Sequence, residues 1–168
     1  AYTSVLNAFA RSGDARRAER WLREMASAGC LPRDAIAYTA VISSYGRQGE
    51  VAEAARLFQE MRGQAVEPDL VTYSALVDVH ARAGGVEGAL EVVADMSAAG
   101  LRPNVVTWTS LLAACAASRP KRREEAERIF RQMVLCAVAP NRTTLATLTN
   151  AVGRVRCGTI CRELGVDL

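Results

Sequence analysis

This chain has very little from which to build an active site. It carries one histidine, His80, in 168 residues. It has no Ser-His-Asp set, no glycine-rich phosphate loop and no paired-carboxylate constellation, so acid–base or nucleophilic chemistry has little to work with. Aromatic residues make up only 5% of the sequence. No apolar run approaches the ~20 residues that span a bilayer, and no membrane partner is expected. Charge of either sign is not in excess: the net charge is +3. That balance permits a polyanionic partner without demanding one, since dedicated nucleic-acid domains often exceed a pI of ~9. The five cysteines, Cys30, Cys115, Cys136, Cys157 and Cys161, are odd in number and scattered, which suits free thiols in a reducing compartment. Cys157 and Cys161 can share a helix face. Without a nearby histidine or a second cysteine pair they do not make a metal site, and no cofactor or small-molecule substrate is implied.

What the chain does have is a period. Methionines fall at Met25, Met61, Met96 and Met133, and a proline follows each after seven residues, at Pro32, Pro68, Pro103 and Pro140. An aromatic residue precedes each methionine: Tyr2, Tyr38, Tyr73 and Trp108. A repeat of about 35 residues means stacked supersecondary units, whose working surface recurs along the stack instead of lying in one pocket. Alanine, leucine, arginine and glutamate dominate and favour helix. Aligned on the aromatic, the units are 1–34 (expected to lack its opening residues), 35–69, 70–104, 105–141 (with two extra residues in Ser118-Arg119-Pro120-Lys121), and a degenerate half-unit over 142–168. Each complete unit reads as two short helices. In the second, Tyr38, Val41, Ile42 and Tyr45 recur at 3.6-residue spacing, Gln48-Gly49 breaks the helix, and Val51 to Met61 forms the next before Pro68 bars further helix. The third runs Val71 to Arg82 and Val86 to Ala98. The expected fold is all-α, a right-handed α-solenoid of helix-turn-helix repeats, with the tail capping the stack. His80 takes the place of Phe9, Tyr45 and Cys115 in the other units, so it reads as a core packing residue.

The second unit, AIAYTAVISSYGRQGEVAEAARLFQEMRGQAVEPD, and the third, LVTYSALVDVHARAGGVEGALEVVADMSAAGLRPN, resemble pentatricopeptide repeats. The resemblance rests on the VTY opening, the G-x-x-E-A start of the second helix, the EM or DM, and the closing P-D or P-N. It covers residues 1–141 and, weakly, the rest. The tetratricopeptide pattern fits worse, because the small residue it wants in the first helix is replaced by Ile42, Val77 and Leu112.

The resemblance implies binding of single-stranded RNA, one nucleotide per unit, by a protein that is not an enzyme. It implies an organellar location (mitochondrion or chloroplast), work in RNA processing, stabilisation, splicing or translation, and other proteins of an RNA-processing assembly as further partners. Any targeting peptide would lie upstream of Ala1. In the family, the residue after the aromatic and the residue closing the unit read the base together. Carried over, those pairs are Thr3 with Asp34, Thr39 with Asp69, Ser74 with Asn104, and Thr109 with Asn141. Ionised Asp only accepts, which suits the guanine donors. Asn both donates and accepts, which suits adenine, while a Ser or Thr hydroxyl can bond a purine ring nitrogen. The family's code then reads 5′-GGAA-3′. Ile36, Val71, Val106 and Thr143 correspond to residues that clamp bases, and Arg11, Arg47, Arg82 and Arg154 to phosphate-neutralising cations closing the first helices. Plainer roles stand beside these. Asp and Asn are preferred N-caps. The arginines suit helix carboxyl ends. Ile36 and its equivalents suit an inter-repeat core. A protein-binding helical scaffold is the rival function, favoured by the modest charge and opposed by the matched hydroxyl and Asp/Asn pairs.

Overall fold

The computed structural model describes residues 13–27 and 35–166. Among the described residues the chain is all helix. The elements are α1 (Ala15–Ser27), α2 (Ile36–Gln48), α3 (Val51–Gly63), α4 (Leu70–Arg82), α5 (Val86–Ala98), α6 (Val105–Ala117), α7 (Arg123–Leu135), α8 (Arg142–Val152) and α9 (Arg154–Leu164). The chain divides into two compact units, Ala1–Val79 and His80–Leu168.

Each helix is too short to persist alone in water and survives by burying a stripe. In α3 the stripe is Ala54, Leu57, Phe58 and Met61; in α5 it is Val86, Ala89, Val92 and Met96; in α7 it is Ala126, Ile129, Phe130 and Met133. The recurring Met-to-Pro spacing has a local cause. The carbonyls of Met61, Met96 and Met133 accept the N–H groups of Val66, Leu101 and Val138, closing each second helix with a six-to-one bond. That closure needs one residue at positive φ. Gly100 supplies it after α5 (φ 78), but Ala65 (φ 56) and Ala137 (φ 57) hold the same conformation after α3 and α7.

In the first unit α2 packs on α1 and α3. Phe58 meets Tyr73 edge to face with ring centres 5.2 Å apart. Gly46 lets α2 approach α4 so closely that a Cβ there would sit 2.3 Å from Val79 Cγ2. In the second unit α6 packs on α5, α7 and α8, and α9 reaches both α8 and α7. The tail, expected as half a unit, therefore holds two helices. Its second helix buries Cys157, Ile160 and Cys161. The inserted loop is fastened at both ends. The Ser118 hydroxyl lies 3.0 Å from the Gly84 carbonyl, and Lys121 Nζ donates to the Asn150 carbonyl (2.8 Å) and to Asn150 Oδ1 (2.9 Å).

His80 does pack, though half-buried, over Gly88. A Cβ at Gly88 would meet the ring 2.4 Å from Nδ1, so the missing side chain makes room for the imidazole. Burial pulls its pKa below the ordinary value, with a partly opposing effect from Glu91.

Candidate nucleic-acid interface

The predicted site residues sit on the first helix of each pair, where the opening turn is built around an Asp or Asn. Asp69 precedes α4; its Oδ1 accepts the Thr72 N–H (2.8 Å) and the Thr72 hydroxyl (2.8 Å). Asn104 caps α6; its Oδ1 accepts the N–H groups of Val106 and Thr107 (both 3.0 Å) and the Thr107 hydroxyl (3.1 Å). Asn141 caps α8 in a reciprocal box. Its Oδ1 accepts the Thr144 N–H (2.9 Å) and hydroxyl (3.0 Å), while its own N–H donates to Thr144 Oγ1 (3.3 Å). All three side chains thus satisfy orphan donors at a helix start. Capping and base reading are not rivals here, because each cap uses one side-chain atom, Oδ1.

Two of the predicted pairs are brought together through a third residue. Thr72 Oγ1 lies 2.7 Å from Thr39 Oγ1, joining Thr39 to Asp69. Thr144 Oγ1 lies 2.8 Å from Thr109 Oγ1, joining Thr109 to Asn141. The joining threonines are fully buried, whereas Asp69 and Asn141 are exposed and Thr39 and Thr109 half-exposed. Ser74 is buried in α4. Thr3, Asp34 and Arg11 lie outside the described residues.

Ile36, Val71 and Val106 are 55%, 63% and 56% exposed, which excludes the core role for them; Thr143 is exposed as well. Along α2, residues Ile36, Thr39, Ser43 and Arg47 follow helical spacing on one face. Val71, Ser74, Asp78 and Arg82 repeat the pattern on α4. Arg47 and Arg82 are exposed in the last turns of α2 and α4. Arg154 departs from expectation. It opens α9 and does not close α8, because α8 is 11 residues long where α2, α4 and α6 have 13, and Gly153 (φ 93) ends it first.

The second helices carry a different electrostatic pattern. Buried Glu19 on α1 receives hydrogen bonds from the Tyr45 hydroxyl, Arg23 and Arg56 (2.6 Å for the last). Burial pushes the Glu19 pKa up, but the Tyr45 hydroxyl, Arg56 and Arg23 outweigh it and leave the carboxyl below its ordinary range. Tyr45 is pushed up to about 12 by burial and by the Glu19 carboxylate it bonds. On α7 and α9, Glu127 pairs with Arg156 (2.6 Å) and Arg131 (2.9 Å), and Arg131 also bonds Glu163. The Glu19–Arg56, Glu127–Arg156 and Arg131–Glu163 pairs link second helices of neighbouring pairs and satisfy one another's charge. Burial raises Cys115 and Cys161 to about 11, so both thiols stay protonated near neutrality. Among the described residues no group of three His, Cys, Asp or Glu side chains lies close enough to hold a metal ion.

Reading the chain alone finds the Asp/Asn and hydroxyl positions but misses Thr72, Thr107 and Thr144. The signal was present: each is a Thr three residues after the Asp or Asn, the spacing of a reciprocal cap.

The same pattern is matched outside this chain. A model of the PPR repeat family matches residues 33–82 and 68–117, and a PPR repeat model matches residues 1–30. No curated protein matches the chain. Among solved structures, the pentatricopeptide repeat protein PPR10 in complex with an 18-nt psaJ RNA element is 31% identical, over 96% of this chain and 23% of that one, with a TM-score of 0.84. A structure of the pentatricopeptide repeat protein PPR10 from maize gives 29% identity over 99% of this chain and 24% of its own, with a TM-score of 0.76. The PPR domain of Arabidopsis thaliana protein-only RNase P 1, in complex with tRNA, shares the fold at 18% identity, over 96% of this chain and 83% of its own, with a TM-score of 0.76. The chain thus spans about a quarter of the length of PPR10. The fold class is the all-α helical-repeat solenoid. With the repeat model matched over half its length, on top of the helix pairs and their recurring Asp/Asn caps, the chain belongs to the pentatricopeptide repeat family.

Proposed function

We propose that this chain binds single-stranded RNA, one nucleotide per helix pair, and holds it without a catalytic step. The observation that carries the reading is the recurring constellation at the start of the first helices. At Asp69, Thr72 joins the carboxylate to the half-exposed Thr39 and the exposed Val71 follows two residues on; at Asn141, Thr144 joins the amide to the half-exposed Thr109 and an exposed Thr143 takes the place of the aliphatic residue. A peptide-binding scaffold has no reason to keep such a set in register. The likeness to PPR10, a protein captured with an 18-nt RNA element, supports the same reading.

In this reading Thr3/Asp34 and Thr39/Asp69 select guanine, and Ser74/Asn104 and Thr109/Asn141 select adenine, giving 5′-GGAA-3′. Ile36, Val71, Val106 and Thr143 clamp the bases, in place of the aromatic platforms of other single-strand binders. Arg11, Arg47 and Arg82 contribute to the phosphate field. Four units alone bind weakly, since contacts worth ~1–3 kcal/mol each must offset the ordering of a flexible strand. The chain therefore works as part of a longer array or beside a protein partner, in the stabilisation, splicing, processing or translation of organellar transcripts.

Gel shifts with a short GGAA-containing RNA and a CCUU control at two salt concentrations test the proposal. The expected result is preference for GGAA, with affinity falling as salt rises. Asn104→Asp is expected to move the preference at the third nucleotide from A toward G. An unchanged preference there removes the reading role from that position.

A further inference from the structure

We propose that Thr72 and Thr144 are positioning residues that decide which atoms of the Thr39/Asp69 and Thr109/Asn141 pairs the RNA base meets; the proposal rests on the RNA-binding reading above. The argument is a proton count along a buried string. Thr109 has one hydroxyl proton, and two acceptors take it inward: the Val105 carbonyl at 2.7 Å and Thr144 Oγ1 at 2.8 Å. Thr39 is placed alike, 2.8 Å from the Ala35 carbonyl and 2.7 Å from Thr72 Oγ1. Whichever acceptor holds the proton, the outward side of the reading hydroxyl carries lone pairs only. It meets the base as an acceptor, opposite to the donor role toward a purine ring nitrogen that the residue type alone suggests.

The other half of each pair is fixed by the same threonine. The atom of Asn141 that meets the Thr144 N–H must be its oxygen, because an N–H can only donate. Asn141 Oδ1 is then engaged by the Thr144 N–H and hydroxyl, which leaves Nδ2 with two donors to present. Asn104 is held the same way by Val106 and Thr107. At Asp69 the engaged atom is again Oδ1, and the atom left to present is a carboxylate oxygen, an acceptor. The amide cannot flip without placing its NH2 against a backbone N–H and a hydroxyl. An acceptor beside an acceptor fits guanine, whose N1–H and N2–H2 both donate. An acceptor beside a donor fits adenine, whose N6–H2 donates while N1 accepts.

The threonines are buried and touch no base, so their effect passes through the pair they hold. The test measures binding of the full chain to RNAs that carry GGA followed by A, G, C, U or purine riboside, which lacks the N6 amino group. Wild type is expected to prefer A, with purine riboside bound about tenfold more weakly, the loss of one hydrogen bond to a desolvated acceptor. Thr144→Val keeps the side-chain shape and the backbone cap but removes the hydroxyl. With the Val105 carbonyl and the Thr144 N–H still in place, it is expected to lower the A-over-G and the A-over-purine ratios about threefold each. Thr144→Ser is expected to restore them. Thr72→Val gives the parallel measurement with G and inosine at the second nucleotide, should Thr144→Val lower the folded fraction in circular dichroism. A wild type that binds RNA with no base preference sinks the RNA-reading function and this proposal with it. A discriminating wild type together with Thr144→Val and Thr72→Val proteins that discriminate equally well overturns the positioning role alone.

Discussion

Replacing Gly46 by alanine is expected to destabilise the protein, and to do so far less once Val79 has been cut back. Gly46 lies in the last turns of α2, where a new Cβ would stand 2.3 Å from Val79 Cγ2 and 3.2 Å from Val79 Cβ. Carbon atoms settle at about 3.5–4.0 Å, so the closer contact overlaps by more than ~1 Å. Val79 cannot turn away easily, since a β-branched side chain in a helix has one strongly preferred rotamer, and it is almost fully buried. Overpacking of this kind costs ~1–3 kcal/mol, and the better helix propensity of alanine returns up to ~1 kcal/mol. The net loss expected for Gly46→Ala is about 1–2 kcal/mol. Val79→Ala alone should cost about 2 kcal/mol through the lost methyl groups and the space they leave. In the double variant the overlap with Val79 Cγ2 is gone and only the 3.2 Å approach to Cβ remains, so adding Gly46→Ala to Val79→Ala should cost less than about 0.5 kcal/mol. The assay is urea unfolding followed by circular dichroism, with midpoints compared at a common slope. A Gly46→Ala effect of the same size in both backgrounds refutes the steric account.

Val106→Ala should leave the unfolding free energy within the roughly ±0.5 kcal/mol typical of surface changes while weakening RNA binding about fivefold, because the side chain is exposed; a large fall in stability with unchanged binding would return it to the core. Ala65→Gly and Ala137→Gly should each raise stability by about 0.5–1 kcal/mol, since alanine pays there for positive φ that glycine adopts freely; thermal melts check this, and a loss of stability contradicts it. Tyr45 should make the protein sensitive to alkali. Its pKa is raised from an ordinary 10.0 to about 12 in the fold, so the stability it contributes is complete below pH 10 and lost as pH rises through about 12, roughly 1.4 kcal/mol per unit. Urea midpoints at pH 9 and pH 11 should differ more for wild type than for Tyr45→Phe. Equal differences would mean that Tyr45 titrates normally.

Much of this was legible in the sequence. The 3.6-residue spacing of Tyr38, Val41, Ile42 and Tyr45 foretold α2, and the glycine after Gln48 foretold its end, because both signals are local. Val86 to Ala98 was equally plain. The second helix of the tail was not read, since the cysteines and glycine between Arg154 and Leu164 give a weak apolar stripe that only burial against α8 reveals. The same limit hid Thr72 and Thr144. A threonine inside a helix reads as an indifferent helix former, and its value here comes from a neighbour more than thirty residues away, across a stacking contact that no local window contains. The packing of His80 over Gly88 was half visible. The slot was evident from the other units, but the missing side chain that admits an imidazole lies on a different helix.

The side chain that opens each first helix also limits which words such an array can be rewritten to spell. Asp69, Asn104 and Asn141 each start a helix with the oxygen of a short side chain. A residue without such an oxygen would give up about 1 kcal/mol at every position changed. Retargeting by substitution is therefore confined to Asp, Asn, Ser and Thr at these places, a four-member alphabet set by the start of a helix before any nucleotide is considered.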